Sequence, residues 1–178
     1  SNPVSIEKSD LPRLGTGDFI ATLKSDGVRY LLLLTTKPNG DNEPIAIMVD
    51  RAKTMYEVEV WANEDFFLRG SVYDGELVWE NESLVFVVFD VVVAKGESCV
   101  NLTYRERLQV VQNTILCASD AHTDASIEEM IGEEGKLLAR NNEYELRIVP
   151  KRCVSKESID TLWFERSGSH HRTDGLIF

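Results

Sequence analysis

An α+β fold built mainly on antiparallel sheet is predicted from three observations. Apolar and polar side chains alternate through the first half of the chain with the period of a half-buried strand. Short clusters of Asp, Gly, Asn and Pro separate those runs. Helical periodicity with a capping signal first appears only at Thr103.

The elements follow in order. Asp18–Lys24 sets Phe19, Ala21 and Leu23 against Ile20, Thr22 and Lys24. Val28–Thr36 follows Asp26-Gly27, a dipeptide that favours tight hairpins, so these two strands are expected to pair. Residues 37–44 are loop by composition. Ile45–Val49 and Met55–Trp61 flank a turn at Asp50–Lys53, and Gly75–Trp79 and Leu84–Val93 form a further pair around Glu80–Ser83. Thr103-Tyr-Arg-Glu106 is a capping box, with Tyr104, Leu108, Val111 and Ile115 at helical spacing behind it. A polar loop over Ala118–Ala125, a short helix capped at Ser126, a strand over Glu143–Val149 and a helix carrying Ile159, Leu162 and Trp163 are expected next. The last residues, Gly175–Phe178, read as a strand.

Composition narrows the function classes. The 178 residues suit one domain, and the formal charge of −11 with no Lys/Arg run argues against sequence-blind binding to nucleic acid. The longest apolar stretches, Tyr30–Leu34 and Leu84–Val93, have strand length, so no membrane-spanning helix is expected. Three widely spaced cysteines, Cys99, Cys117 and Cys153, make neither a zinc pattern nor a disulfide framework and favour a reducing compartment. His170 and His171 lack a partner at metal spacing and read as loop residues.

Three Asp-Gly pairs organise the chemistry: Asp26-Gly27, Asp74-Gly75 and Asp174-Gly175. On its own each is a turn signal. The first sits inside Lys24-Ser-Asp-Gly-Val-Arg29; the second opens Asp74-Gly-Glu-Leu-Val78; the third lies in Thr173-Asp-Gly-Leu-Ile-Phe178. Between the last two comes Phe86-Val-Val-Phe-Asp90, an apolar strand interrupted by one carboxylate. Unbroken alternation puts Phe86 and Phe89 on opposite faces, and Asp90, flanked by valines, needs a partner wherever it is buried.

This ordered set, spanning about Phe19 to Phe178, resembles the covalent nucleotidyltransferase superfamily of mRNA capping guanylyltransferases and ATP-dependent polynucleotide ligases. Ile47-Met-Val-Asp-Arg51 before Met55-Tyr56, and a fourth motif in Asp-Gly where ligases usually have Glu-Gly, make it more similar to the capping enzymes. The resemblance implies the nucleotidyltransferase fold (ATP-grasp-like, shared by DNA ligases and capping enzymes) and a guanylyltransferase that moves GMP from GTP through a lysyl-GMP intermediate to the diphosphate 5′ end of RNA. An ATP-dependent ligase and a non-catalytic nucleotide-binding module of the same fold are the alternatives.

By the same resemblance Lys24 is the nucleophile. At an ordinary lysine pKa only about one amine in 10³ is neutral at pH 7, so such a site must favour the uncharged form. Arg29 and Arg51 would face ribose and phosphate oxygens, Glu76 the ribose hydroxyls, and Phe89, the ring just before the Asp, would stack on a purine. Both rings in the core is the alternative for Phe86 and Phe89. Lys151 falls in a stretch that in capping enzymes contacts guanine O6, although a Lys after Pro150 reads more simply as a surface residue. Asp90 and Asp174 would lie by a Mg²⁺ or Mn²⁺ ion.

The family's fifth motif and oligonucleotide-fold (OB-fold) lid do not occur within these residues, so 1–178 is expected to be a nucleotidyltransferase domain incomplete at its C-terminus. Activity is then expected of a longer polypeptide with an OB-fold and, as candidates, an RNA triphosphatase or methyltransferase domain. GTP and 5′-diphosphate RNA would be its partners, with no membrane, in a nucleus or, for a viral protein, the cytoplasm.

Overall fold

A computed structural model describes residues 7–80, 83–115, 138–139, 147–165 and 173–178. Cys117, the Ala118–Ala125 loop, the helix expected at Ser126, the Glu80–Ser83 turn tip at 81–82, and His170 and His171 lie outside the described residues. Two units are distinct: residues 1–25 with 152–178, and residues 26–151.

In the smaller unit a six-residue helix, α1 (Leu11–Thr16), precedes β1 (Ile20–Ser25), which is the centre of a three-stranded antiparallel sheet. Its neighbours are β11 (Cys153–Ser155) and β12 (Thr173–Ile177). Helix α4 (Ile159–Glu165) packs on β1 with Leu162 fully buried, as the apolar spacing requires. Phe19 and Phe178 meet edge to face, centroids 5.5 Å apart.

The larger unit is a seven-stranded sheet whose main path runs β10-β7-β6-β2-β3-β4. These are β2 (Val28–Thr36), β3 (Pro44–Val49), β4 (Met55–Val58), β6 (Ser71–Glu80), β7 (Ser83–Ala94) and β10 (Arg147–Pro150). The seventh strand, β8 (Glu97–Ser98), pairs with the end of β7. All pairs are antiparallel except β10, which runs parallel to β7. A separate ladder joins β5 (Val60–Trp61) to β9 (Leu138–Ala139). One face of the large sheet carries the core, with Leu32, Leu34, Met48, Tyr73, Phe86, Val88 and Val91 under α2 (Glu64–Leu68) and α3 (Tyr104–Thr114). The capping box forms as expected: the Thr103 hydroxyl and backbone N–H both donate to the Glu106 carboxylate.

Two expectations are corrected, and one alternative is excluded. The strands flanking Asp26-Gly27 do not pair with each other; β1 and β2 belong to different sheets. Asp74-Gly75 and Asp174-Gly175 are not turns but lie inside β6 and β12. At Gly75 the reason is space, since a Cβ there would stand 2.6 Å from the Phe86 ring. The expected strand Met55–Trp61 breaks at Glu59 into β4 and β5.

Candidate active site

In the larger unit the register sets Arg29 of β2 opposite Glu76 of β6. The guanidinium nevertheless leans two pairs along and grips Asp74, with Nε donating to Oδ1 at 2.8 Å and Nη2 donating to Oδ2. That bond, opposed by partial burial, pushes the Arg29 guanidinium above its usual value, with Asp90 and Glu76 adding to the pull. Arg29 is therefore a fixed, permanently charged group on a side chain that stays partly exposed.

Strand β7 carries the aromatic motif and departs from regular pairing. Gly75 pairs with Val88 and Asp74 with Asp90, which leaves Phe89 as an extra residue, a β-bulge. Val88 and Val91 both enter the core although three residues apart, which strict alternation forbids. The bulge permits it, and keeps both Phe89 and Asp90 half-buried outside the core cluster. Phe86, by contrast, is fully buried, so the two rings separate as the alternation implied.

Two cations converge on the Phe89 ring: the Arg29 guanidinium at 5.6 Å and the Lys151 ammonium at 5.7 Å from its centroid. Lys151 corrects the surface reading of its position. It is 6% exposed, with Nζ 3.8 Å from Glu76 Oε2. Its place comes from β10: that strand runs parallel to β7 up to the Pro150–Val88 pair, and the Lys151 backbone N–H donates to Val88 O at 2.7 Å.

Asp90 has the partner its burial demands, a residue not singled out from the sequence. Arg107 of α3 donates from Nε to Oδ1 at 2.7 Å and from Nη2 to Oδ2 at 3.1 Å. The same arginine donates from Nη1 to Leu102 O, and its guanidinium lies over the Tyr104 ring. Asp74 was also missed, although it stands in the Asp-Gly-Glu motif. Arg29, Lys151 and Arg107 thus balance Asp74, Glu76 and Asp90, so this cluster is formally neutral. Arg51 is exposed in the β3–β4 turn; continuing the register past Val49–Leu31 brings it to the end of the sheet that carries Arg29 and Glu76.

Lys24 and Asp174 belong to the smaller unit. Lys24 is exposed on β1, between Leu23, which pairs with Leu176, and Ser25, which pairs with Thr173. That step sets the single residue Lys24 against two, Asp174 and Gly175, so here too a motif sits on a bulge. Gly175 has φ of +149°, a conformation that favours glycine. The side chain of Asp174 lies outside what the structure describes.

A divalent ion of the kind expected from the sequence needs carboxylate oxygens that are not already claimed. Both oxygens of Asp90 are held by Arg107 and both of Asp74 by Arg29. Among the described residues no three His, Cys, Asp or Glu side chains converge to hold an ion. Of the two carboxylates expected at an ion, Asp90 is thus engaged by Arg107, and the side chain of Asp174 is outside the described residues. Among them, too, no helix is long and apolar enough to cross a membrane.

Known proteins give an independent comparison. Residues 1–178 match the family profile described as mRNA capping enzyme, catalytic domain. The mRNA-capping enzyme subunit alpha of Schizosaccharomyces pombe is 29% identical over 141 residues, covering 72% of this chain and 35% of that protein. The chain spans about a third of the length of that relative.

Proposed function

The chain belongs to the mRNA capping enzyme catalytic-domain family, and from that membership we propose that it supplies the nucleotide-binding and nucleophilic residues of a guanylyltransferase. The observation that carries the reading is the convergence of Arg29, Glu76, Phe89 and Lys151, drawn from four separate stretches, around one half-buried ring outside the core. A flat ring flanked by donors, with a carboxylate beside them, suits a purine nucleoside. Phe89 stacks on the base, Lys151 donates to a base carbonyl, and Glu76 accepts from ribose hydroxyls. Because this cluster is formally neutral, it reads base and sugar rather than compensating a triphosphate. That task falls to groups outside it, with Arg51 the first candidate.

The Lys24 amine, once deprotonated, attacks the α-phosphorus of GTP. A P–N bond forms, the bond from the α-phosphorus to the α,β-bridging oxygen breaks, and pyrophosphate leaves with the electron pair. A terminal phosphate oxygen of 5′-diphosphate RNA then attacks the phosphoramidate, forming the P–O bond of the cap as the P–N bond breaks and the amine is restored. Holding the reactants in line is the protein's main contribution, as in phosphoryl transfer generally.

Full-length protein incubated with α-labelled GTP and Mg²⁺ or Mn²⁺ should retain an acid-labile label, and Lys24→Ala should lose it. Equal labelling of the variant refutes the assignment of Lys24. An adduct with ATP alone points to a ligase, and GTP binding without an adduct points to a non-catalytic module.

A further inference from the structure

We propose that Tyr104 and Arg107, on the N-terminal part of α3, are positioning residues that lock the Phe89–Asp90 bulge and thereby aim the stacking ring. The inference rests on the reading of Phe89 as the base platform and adds to it the device that holds the platform.

A bulge frees backbone groups from the ladder and leaves its residues looser than their neighbours unless something else holds them. Here three contacts do so. The Tyr104 hydroxyl donates to Phe89 O at 3.1 Å. Asp90 Oδ1 accepts the N–H of Val91 at 2.9 Å, closing the bulge on itself. Arg107 then fastens both Asp90 oxygens through the fork described above. The two α3 residues also brace one another, since the Arg107 guanidinium is 5.5 Å from the Tyr104 ring centroid.

The anchor itself is rigid. Thr103 and Glu106 satisfy the free donors at the start of α3, and Leu108 and Val111 bury the next turn in the core. Arg107 is further tied to Leu102 O at 2.8 Å. Position therefore passes from the core through α3 to the bulge and on to the ring. The ring itself is met by Arg29 and Lys151, and the Lys151 backbone N–H holds the Val88 carbonyl that leads into the bulge; the carbonyl of Phe89 and the side chain of Asp90 are held from α3. Removing the α3 contacts should leave the ring present but poorly aimed, and loss of aim is felt by a stacked base far more than by a phosphate chain.

The test uses full-length Tyr104→Phe, Arg107→Gln and Phe89→Ala, with GTP and inorganic tripolyphosphate as probes in equilibrium titrations well below each melting temperature. Tyr104→Phe deletes only the hydroxyl of a partly exposed side chain, so it reports even if Arg107→Gln folds poorly. Both α3 variants are expected to weaken GTP on the order of ten-fold while leaving tripolyphosphate within about two-fold. Equal loss of both probes means a general structural role and overturns the proposal, as does unchanged GTP affinity in Tyr104→Phe. Phe89→Ala separates the two ideas: if it leaves GTP affinity unchanged, the platform reading fails. If it weakens GTP while the α3 variants do not, only the positioning claim fails.

Discussion

Asp74 and Asp90 stand directly opposite one another across β6 and β7, and each is held by its own arginine. Facing like charges on paired strands are destabilising. The arrangement persists because each carboxylate accepts two charge-assisted hydrogen bonds from its own arginine, Asp74 from Arg29 and Asp90 from Arg107, which offset the like charges. The two ion pairs arrive from different elements, β2 and α3, so the centre of the sheet is cross-linked to both.

This pairing predicts a measurable coupling. In a double-mutant cycle, Arg29→Gln and Asp74→Asn should each destabilise by about 1–3 kcal/mol, less than a fully buried pair because Arg29 is 42% exposed. The double variant should lose less than the sum, with coupling near 1 kcal/mol. Additive single losses in urea unfolding would show that the pair contributes nothing beyond its parts.

Gly75 gives a sharper test of packing. A methyl group at this position would meet the Phe86 ring at 2.6 and 2.8 Å and Val87 O at 2.8 Å, with no unusual φ to blame. Phe86 is fully enclosed by the core and cannot swing aside. Gly75→Ala is expected to destabilise by about 1–3 kcal/mol through overpacking. Because Gly75 adjoins the bulged Phe89–Asp90 step, nucleotide affinity should fall with it. A variant as stable as the parent would show that the strand gives way without strain.

These residues also show what a sequence reveals and what it hides. The strands β2, β6 and β7 and the cap of α3 were legible because alternation, apolar runs and capping chemistry are local. Asp26-Gly27 announced a turn, yet nothing local says whether the strands it joins pair with each other, and here they do not. The bulge at Phe89 left no mark, because Leu84–Val93 is apolar at nearly every position and a shift of period cannot show. Lys151 was misjudged because its charge signals a surface. Its burial depends on a parallel pairing with β7, more than fifty residues earlier in the chain. Arg107 carried no signal beyond lying in a capped helix; its role exists only once α3 is packed on β7.

Burial of Lys151 separates stability from binding. Lys151→Met keeps the length and loses the cation, stranding a Glu76 side chain that is 20% exposed. The expected loss is about 1–2 kcal/mol, since a partly hydrated carboxylate is less costly than a fully buried one. Adding Glu76→Gln should recover most of that stability while GTP affinity stays at least about ten-fold down, because both nucleoside contacts are then weakened. Thermal melts and GTP titrations on the single and double variants check this. If the double variant regains affinity with stability, the two side chains act only as a structural pair.

Tyr73 yields a prediction with a defined pH window. Its ring is fully enclosed and its hydroxyl has no hydrogen-bond partner of good geometry among the described residues. Burial pushes its pKa from 10.0 up to about 12, with Thr114 opposing the shift. The folded value lies above the unfolded one, so the neutral phenol's contribution is complete below pH 10 and is lost as pH climbs toward 12. At pH 11 the loss from this group should be about 1 kcal/mol. Tyr73→Phe abolishes that term and, by removing an unpaired buried hydroxyl, should be neutral or up to about 1 kcal/mol stabilising at pH 7. Urea unfolding of both proteins between pH 8 and 11 reads the difference, which should widen in favour of the variant above pH 10. Parallel stability curves across that range would mean that the phenol ionises as freely in the fold as outside it.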